Sequence, residues 1–468
     1  MQTKRTKIIC TIGPASSSVS VLTRMIQAGM NVARLNFSHG THKEHKKLIR
    51  NIRQAAKRAG EKVAILQDLQ GPKIRLGELP EKGIMLRQGQ EVSFTTAVGQ
   101  YKNGGPIYVT YDKLHKDIKK GDRLLINDGL VETECLRKRG KEIVVKVKVG
   151  GLLTSHKGCN LPDTEVSINA FTAKDREDLL FGLEEGVDWV ALSFVSEPEE
   201  VEAVRRVISA KCRSLHTTLP KIMVKIERKQ AVERFLEILE VSDGIMLARG
   251  DLGVEIPFEE VPILQKEFIE ICRQAGKPVV VATQMMDSMT ENRRATRAEV
   301  SDVANAVIDH TDAVMLSQET AIGEYPVVAV QSMTAVITET EDSRLDDITF
   351  LQLHDLPDIG TSIAQALHVM TENDQIDFIV TAHGYGDIAR KINVFRPNAP
   401  IVIACKDETI ARQMMMRAGI YSIILDDAPG TFIHRAQAQL NRMKMLKKSS
   451  RVAYIIATPS GEIQLTVR

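Results

Sequence analysis

The sequence predicts an α/β protein: a (β/α)8 TIM barrel with an inserted small all-β lid domain and a C-terminal open α/β domain. Three observations lead to this fold class. Eight short apolar segments alternate with helix-period segments, polar residues follow the carboxyl ends of those segments, and short alternating runs interrupt the pattern once. Strands separated by amphipathic helices form a parallel sheet, and eight such strands close a barrel.

The predicted barrel strands are continuous apolar runs, a pattern typical of strands buried on both faces. They occupy residues 7–11, 31–35, 63–68, 189–193, 221–227, 244–248, 278–283 and 313–316. Polar residues lie at or just past the carboxyl ends of these strands: Asn36, Asp68, Ser193, Lys225, Asp251, Thr283 and Ser317. A parallel open sheet is the alternative, but this placement favours the barrel, because barrels gather their chemistry on the face formed by those ends.

The interruption predicts how the chain divides. Residues 1–70 and 164–345 form the two parts of the barrel, and residues 71–163 form the β lid, with alternating runs at 91–95, 106–110, 123–126 and 142–149. A lid inserted at the catalytic face can close over a bound substrate. Residues 346–468 form the third domain, whose four predicted strands (378–381, 401–405, 421–425 and 452–458) suit an open doubly wound sheet.

Composition excludes several classes of function. The 468 residues are 43% hydrophobic and 26% charged, as in an ordinary globular protein, and the net charge of +2 gives no reason to expect a nucleic acid or an anionic membrane as partner. The six cysteines form no CxxC pair, so neither a zinc site nor a disulfide framework is indicated. No apolar stretch is long enough to span a bilayer, and we expect a cytoplasmic protein.

Three charged residues at predicted strand ends indicate chemistry. Lys225 and Glu227 end one apolar run, and Asp251 follows the next. Two carboxylates on neighbouring strand ends suit a hard divalent cation, and a lysine beside them can contact anionic oxygens that the metal also binds. Alone, Lys-x-Glu is equally typical of alternating exposed charges on an edge strand.

Seven ordered blocks resemble the pyruvate kinase family: residues 7–16, 34–40, 67–75, 224–227, 248–255, 282–286 and 296–300. The resemblance covers roughly residues 4–330 and fades in the third domain. It implies transfer of the phosphoryl group of phosphoenolpyruvate to ADP, giving pyruvate and ATP in glycolysis. It also implies small-molecule substrates and a homotetramer.

The resemblance assigns roles at the substrate. Glu227 and Asp251 would hold Mg²⁺ (or Mn²⁺), and Lys225 would stabilise the phosphoryl oxygens and the developing enolate. The backbone N–H groups of Gly250 and Asp251, at the start of a helical turn, would bind the substrate carboxylate. Thr283 would lie over the carbon face, where the enolate takes its proton, with water or a relay as the donor.

Further positions are assigned to phosphates and nucleotide. Arg34 and Arg75 are similar to the guanidiniums on the phosphate side, since a planar fork matches phosphoryl oxygens. Arg34 is therefore expected to act in both substrate binding and catalysis, and Arg75 at the nucleotide. Asn36, His39 and Lys157 would lie near the nucleotide as well, although His39 and Lys157 are also compatible with ordinary surface positions.

One departure from the family pattern concerns K⁺. Members of the family that carry a glutamate five residues after the position of Asp68 hold K⁺ with the counterparts of Asn36, Ser38 and Asp68. Here Lys73 stands in place of that glutamate, and its ammonium can supply the missing positive charge. We therefore expect that K⁺ is not required.

A second departure concerns regulation. Asp387 lies in a segment where the family commonly docks an effector phosphate, and the tail at residues 459–462 lacks a threonine-rich turn. Strong activation by fructose 1,6-bisphosphate is therefore not expected, because Asp387 would repel a phosphate.

Two other functions remain open from the residues. One is another Mg²⁺-dependent enolpyruvate or 2-oxo acid barrel enzyme, an aldolase or lyase, which would not need the β lid or the block around Arg34. The other is a catalytically silent sensor that keeps the pocket for binding. The presence of Lys225, Glu227, Asp251 and Thr283 argues against the sensor.

Overall fold

The computed structural model describes residues 4–346, 358–384, 388–425, 429–457 and 462–468. The first barrel part contains β1 (Lys7–Thr11), α1 (Val19–Ala28), β2 (Met30–Asn36), α2 (His42–Ala59) and β3 (Ala64–Asp68). Helix α2 shows how the sequence sets these bounds: Thr41 and Glu44 form a capping box at its start, and Gly60 ends it in the left-handed conformation.

The chain leaves the barrel at Gly71, whose φ is +67°. A Cβ there would lie 3.0 Å from side-chain atoms of Ser193 and Phe194, so glycine is required at this crossing. The lid then contains β4 (Ile84–Leu86), β5 (Glu91–Thr95), β6 (Ile107–Tyr108), α3 (Leu114–Asp117), β7 (Arg123–Ile126), β8 (Val131–Arg139), β9 (Glu142–Val149), β10 (Gly151–Leu153) and β11 (Cys159–Asn160). Strands β4, β8, β10 and β11 are absent from the sequence prediction. The second half of β8 is a run of exposed charges, and the other three are only two or three residues long.

The lid strands form a six-stranded sheet in the order β11-β7-β8-β9-β5-β6 and a two-stranded sheet of β10 and β4. Their inward side chains build a core separate from that of the barrel, centred on Phe94, Leu124, Ile126, Ile143 and Val145. The expected all-β lid is thus confirmed as a sheet-rich unit with one short helix.

The second barrel part contains α4 (Ala173–Glu184), β12 (Trp189–Leu192), α5 (Pro198–Leu215), β13 (Lys221–Ile226), α6 (Lys229–Glu233), α7 (Phe235–Val241), β14 (Gly244–Ala248), α8 (Arg249–Glu255), α9 (Val261–Gln274), β15 (Val279–Ala282), α10 (Arg297–Ile308), β16 (Ala313–Leu316), α11 (Gln318–Ala321) and α12 (Pro326–Glu341). The eight predicted strands form a closed barrel in the order β1-β16-β15-β14-β13-β12-β3-β2, and all neighbouring strands are parallel. The predicted TIM barrel is therefore confirmed, and the open-sheet alternative is wrong.

The third domain contains α13 (Ile359–Glu372), β17 (Phe378–Ala382), α14 (Ile388–Val394), β18 (Ile401–Cys405), α15 (Glu408–Gln413), β19 (Ile420–Ile424), α16 (Phe432–Arg442), β20 (Val452–Ala457) and β21 (Ile463–Val467). The sheet order is β19-β18-β17-β20-β21, with β21 antiparallel at the edge. The four expected parallel strands are confirmed. Strand β21 was not predicted, because it is short and largely exposed. Asp387, residues 459–461 and the end of the predicted strand at Thr458 lie outside the described residues.

The third domain closes the amino-terminal end of the barrel. Met415 and Met416 pack among the residues that fill the barrel interior, which include Ile9, Met223 and Met246. Among the described residues, no helix combines the length and the apolar character needed to cross a membrane.

Buried polar contacts hold this junction. Asp188 is fully buried and accepts hydrogen bonds from Arg53 (2.9 Å), Arg412 (2.9 Å) and the Ile65 amide (2.8 Å). The Trp189 indole donates to the Gln413 carbonyl at 3.2 Å. Because these buried polar groups have partners, their burial between the two domains does not carry the cost of unsatisfied groups.

Two lysines are buried at the same junction. Lys7 is 1% exposed, donates to the Ile420 carbonyl at 2.8 Å and lies over the Tyr421 ring. Lys4, 3% exposed, donates to Asn31 Oδ1 at 2.6 Å. Burial and, to a smaller extent, the charge of Lys4 lower the pKa of Lys7 to about 7. Burial also lowers the pKa of Lys4, to about 8.

We predict that Lys7 makes stability depend on pH. Its folded pKa of about 7 lies below the ordinary 10.5, so between these values the unfolded chain binds more protons and stability rises with pH. Relative to Lys7→Met, the melting temperature of the unmodified protein should therefore rise between about pH 7 and pH 9. Lys62→Met is the matched control, since half-buried Lys62 also donates to a third-domain carbonyl, that of Ser422. The prediction would be contradicted if the difference in melting temperature between the unmodified protein and Lys7→Met did not change with pH.

Candidate active site

The carboxyl ends of the barrel strands gather a network of charged side chains. Arg34 in β2 donates through Nε to Asp68 Oδ2 at 2.6 Å and through Nη1 to Thr11 Oγ1 at 2.8 Å. Asp68, the last residue of β3, is 1% exposed. Burial would raise the pKa of Asp68, but the charges of Lys225 and Arg34 outweigh it and lower that pKa. Asp68 is therefore ionised between two cations.

Lys225, next to last in β13, connects three strand ends. Its Nζ lies 2.7 Å from Glu227 Oε1 and 3.5 Å from Asp68 Oδ1, and it donates to Ser193 Oγ at 2.9 Å. Burial opposes the charged form of this lysine, but Asp68, Glu227 and Asp251 together raise its pKa. The side chain is thus a fixed ammonium at the mouth of the barrel.

Glu227 and Asp251 have the features of metal ligands. Glu227 Oε2 accepts a hydrogen bond from the Phe194 amide at 2.8 Å. Its Oε1 is buried and, despite the nearby ammonium, accepts no aligned hydrogen bond from a described residue. Burial raises the pKa of Glu227, while Lys225 acts in the opposite direction. Asp251 lies in the first turn of α8. No group of three or more His, Cys, Asp or Glu side chains within the described ranges could hold a metal, so a cation here needs further oxygens from substrate or water.

Gly250 and Thr283 contact each other directly. The Gly250 amide donates to Thr283 Oγ1 at 2.9 Å, and that hydroxyl donates to the Ala282 carbonyl at 2.6 Å. A Cβ on Gly250 would lie 3.5 Å from Thr283 Oγ1, an ordinary contact, so the protein itself does not require glycine there. If the Gly250 amide binds a substrate carboxylate, as the resemblance implies, it must first release or share its bond to Thr283.

A cavity of about 430 Å³ lies between the lid and the barrel and is lined by Asp251 together with Lys73, Arg75 and Lys157. Arg75 Nη1 donates to the His156 carbonyl at 3.2 Å. The pKa of Lys73 is lowered, mainly by burial and then by the positive charges of Lys225 and Arg75. The negative charges of Asp251 and Glu227 act in the opposite direction. Lys73 lines the same cavity as Asp251, on the side of the lid.

The remaining predicted residues form a tight turn after β2. Asn36 Oδ1 accepts a hydrogen bond from the Ser38 amide at 3.0 Å, and the His39 amide donates to the Asn36 carbonyl at 3.3 Å. His39 is exposed. Arg75 and Lys157 line the lid cavity together, whereas Asn36 and His39 are not part of its lining.

Several contributors escaped the sequence prediction. Ser193 was recognised only as a polar strand end, yet it links Lys225 to the Leu69 carbonyl, to which it donates at 2.6 Å. Thr11, at the end of β1, orients Arg34, and its position at a strand end was the available signal. Arg228 directly follows Glu227, lines the lid cavity and lies 5.6 Å from the centre of the Phe194 ring. No sequence pattern distinguishes Arg228 from a surface arginine.

A lid over paired carboxylates, an ammonium and guanidiniums at the carboxyl end of a (β/α)8 barrel defines a class: enzymes that act on anionic, phosphate-bearing substrates. The family model "Pyruvate kinase, barrel domain" matches residues 3–330, and "Pyruvate kinase, alpha/beta domain" matches residues 361–466. The chain belongs to the pyruvate kinase family, and it is a phosphotransferase with pyruvate kinase function. The resemblance extends into the third domain, so the expectation that it fades there is wrong.

Similar proteins agree over nearly the whole chain. A pyruvate kinase of Geobacillus stearothermophilus is 44% identical over 90% of this chain and 71% of its own length. Pyruvate kinase 2 of Synechocystis is 42% identical over 92% of this chain and 72% of its own length. The crystal structure of a pyruvate kinase from Cryptosporidium parvum superposes with a TM-score of 0.91 at 36% identity, covering 99% of this chain and 96% of the other. These findings favour the kinase over the aldolase, lyase and sensor alternatives.

We predict that Lys225→Met lowers turnover by about 10²–10³-fold, the typical cost of losing one charge-stabilising donor. Phosphoenolpyruvate and Mg²⁺ binding should be largely retained, because Glu227 and Asp251 are unchanged. Lys221→Met, at the opposite end of the same strand, is the matched control. Steady-state kinetics and direct binding measurements separate the two effects, and near-normal turnover of the Lys225 variant would exclude that residue from the mechanism.

Proposed function

We propose that this protein converts phosphoenolpyruvate and ADP to pyruvate and ATP with a divalent metal, Mg²⁺ or Mn²⁺, bound by Glu227 and Asp251. The observation that carries the proposal is the contact of one buried ammonium, Lys225, with two buried carboxylates at the barrel mouth, beside the lid cavity. A coupled assay that follows pyruvate formation from the two substrates tests it. Absence of pyruvate formation by folded protein supplied with Mg²⁺ and K⁺ would refute it.

The donor set fits a hard divalent cation. Glu227 offers a buried oxygen without an aligned hydrogen bond, and Asp251 offers a second carboxylate on the neighbouring strand end. Both are anionic oxygen ligands of the kind Mg²⁺ prefers. When bound, the cation neutralises charge on phosphate and enolate oxygens.

Lys225 and Arg34 stabilise the charge that moves during transfer. Phosphoryl transfer requires in-line positioning and electrostatic stabilisation with little covalent work by the protein. Both side chains are held before substrate arrives, Lys225 by Asp68, Glu227 and Ser193, and Arg34 by Asp68 and Thr11. Donors that are already oriented need no reorganisation when charge develops, which is the main electrostatic advantage of an enzyme site.

Thr283 acts at the carbon face of the substrate. A hydroxyl is a poor acid, so we assign the proton transfer to a water that Thr283 places. The lid residues Arg75 and Lys157 bind the nucleotide phosphates in the lid cavity, and Asn36 and His39 contact the nucleotide from the turn after β2. The substrate carboxylate accepts hydrogen bonds from the backbone amides of Gly250 and Asp251 at the start of α8.

The monovalent-cation region supports independence of K⁺. Three of the oxygens expected to hold K⁺ in other family members contact protein donors here: the two Asp68 oxygens contact Arg34 and Lys225, and Asn36 Oδ1 accepts a hydrogen bond from the Ser38 amide. Lys73 lines the lid cavity together with Asp251. A fixed ammonium carries the same unit charge as K⁺ and requires no capture from solution.

We also propose domain boundaries at residues 70/71, 163/164 and 345/346, a homotetramer and a cytoplasmic location. Gly71 supports the first boundary through its left-handed conformation. Family membership supports the tetramer, which size-exclusion chromatography with light scattering tests.

Glu227→Gln and Asp251→Asn should each raise the Mg²⁺ concentration that gives half-maximal activity, because hard cations favour anionic ligands over amides. Titrating activity against Mg²⁺ measures the midpoint. Glu259→Gln, an exposed carboxylate beyond α8, is the matched control. Unchanged midpoints in both site variants would mean that the metal is bound elsewhere.

Activity should be similar in Na⁺, K⁺ and tetramethylammonium buffers of equal ionic strength, a condition that equalises screening. Lys73→Glu should lower activity, because it reverses a charge beside the phosphoryl site. Lys82→Glu makes the same reversal on the exposed lid surface and is the control. An unmodified enzyme that is nearly inactive until K⁺ is added would show that the built-in cation does not exist.

A further inference from the structure

Thr283 has a backbone conformation that its residue type rarely adopts. Its φ is +70°, in the left-handed region, and the next residue, Gln284, also has a positive φ, of 54°. For a β-branched residue such a φ is an outlier, and strain of this kind persists only where surrounding contacts impose it. The contacts that hold Thr283 therefore bear on the reaction.

Arg249 supplies most of these contacts. Its Nη2 donates to the Thr283 carbonyl at 2.9 Å, and its Nε donates to the Ala282 carbonyl at 3.3 Å. The next residue along the chain, Gly250, donates its amide to Thr283 Oγ1 at 2.9 Å. Three hydrogen bonds thus join the start of α8 to the end of β15 and fix both the backbone and the hydroxyl of Thr283.

Asp302 in turn fixes Arg249. Its two carboxylate oxygens accept hydrogen bonds from Nη1 at 2.7 Å and from Nη2 at 2.6 Å, and Gln265 Oε1 accepts another from Nη1 at 3.1 Å. A bidentate carboxylate pair sets the plane of a guanidinium as well as its position. Asp302 lies within α10, so a rigid helix outside the barrel sets the direction of the Arg249 fork.

We propose that Arg249 and Asp302 are positioning residues that hold the Thr283 hydroxyl at the carbon face of the substrate. This inference rests on the role proposed above for Thr283. Without the charged pair, Thr283 relaxes toward an ordinary negative φ and its hydroxyl moves away from Gly250. The proton-donating water then loses its place, while the metal ligands and Lys225 stay where they are.

The proton step can be observed in isolation. In the forward direction a water O–H bond breaks and a C–H bond forms at the enolate carbon: the C=C electron pair takes the proton, the enolate oxygen becomes a carbonyl, and the remaining hydroxide is neutralised by the solvent. In reverse, hydroxide at the same place takes a methyl proton of pyruvate and becomes water, the C–H electron pair forms the C=C bond, and Lys225 stabilises the enolate charge. Loss of methyl hydrogen to D₂O, followed by NMR with Mg²⁺ and ATP present, therefore reports on this step.

The experiment compares Thr283→Ala, Asp302→Asn and the double variant, with Glu267→Gln as control. Glu267 is an exposed carboxylate of α9, so its variant removes the same charge away from Thr283 and should behave as unmodified enzyme. Asp302→Asn should lower kcat by about 10- to 10²-fold, the scale of a misplaced reacting group. Methyl exchange should fall by the same factor, with KM for phosphoenolpyruvate changed less than about twofold.

The double variant carries the decisive comparison. If Asp302 acts through Thr283, the double variant should be no slower than Thr283→Ala alone, because the hydroxyl to be positioned is already gone. Additive losses, or a normal kcat for Asp302→Asn, would overturn the inference while leaving the role of Thr283 intact. A normal kcat for Thr283→Ala would instead overturn that role and this inference together.

Arg249→Lys is the second test, needed where melting curves show that Asp302→Asn fails to fold. Lysine keeps the charge but cannot form the planar fork that reaches Asp302 and the Thr283 carbonyl together. The same loss of kcat and methyl exchange is expected. A folded Arg249→Lys protein with normal turnover would overturn the inference.

Discussion

The active site depends on keeping ionised groups at the mouth of a barrel whose interior is otherwise apolar. An isolated charge there would be neutralised by a shift of its pKa, since burial disfavours the charged form. The site limits this by pairing cations with carboxylates: Arg34 with Asp68, and Lys225 with Asp68 and Glu227. The formal charges of this group sum to zero, so the group alone does not balance the negative charge of a phosphorylated substrate. In the function proposed above, a divalent cation at Glu227 and Asp251 would add the positive charge that this group lacks.

The closed parallel sheet makes this arrangement possible. Because every strand runs in the same direction, the charged strand ends meet on one face, and the opposite face is left to be covered by the third domain. There the same rule holds: Asp188 is fully buried but is matched by Arg53 and Arg412. One end of the barrel gathers fixed charges in the candidate active site, and the other uses them to attach a domain. The strands themselves connect the two ends. Strand β12, for example, begins at Trp189, which contacts the third domain, and ends just before Ser193, which contacts Lys225.

The sequence was most informative where structure follows from local pattern. Continuous apolar runs predicted the barrel strands, because burial on both faces leaves a signal that needs no partner. The ends of these runs also located Lys225, Asp251 and Thr283 at or just past the ends of barrel strands, where the structure has them. Strands β8 and β21 were missed, since their exposed faces carry charged or polar residues that read as loops. The bond between Gly250 and Thr283 was also missed, because it joins two strand ends that are 33 residues apart and depends on backbone angles that no residue pattern encodes.

Strain and charge come together at the strand ends. Phe194 and Thr283 are bulky residues with positive φ, at 59° and 70°, and each sits just after or beside a barrel strand. In both cases a charged side chain holds the strained backbone: Glu227 accepts the Phe194 amide, and Arg249 donates to the Thr283 carbonyl. Strained conformations concentrate at functional sites because they place groups where relaxed backbone cannot. If Glu227 binds the metal as proposed above, its bond to the Phe194 amide would also couple the cation to the wall of the lid cavity, which Phe194 lines.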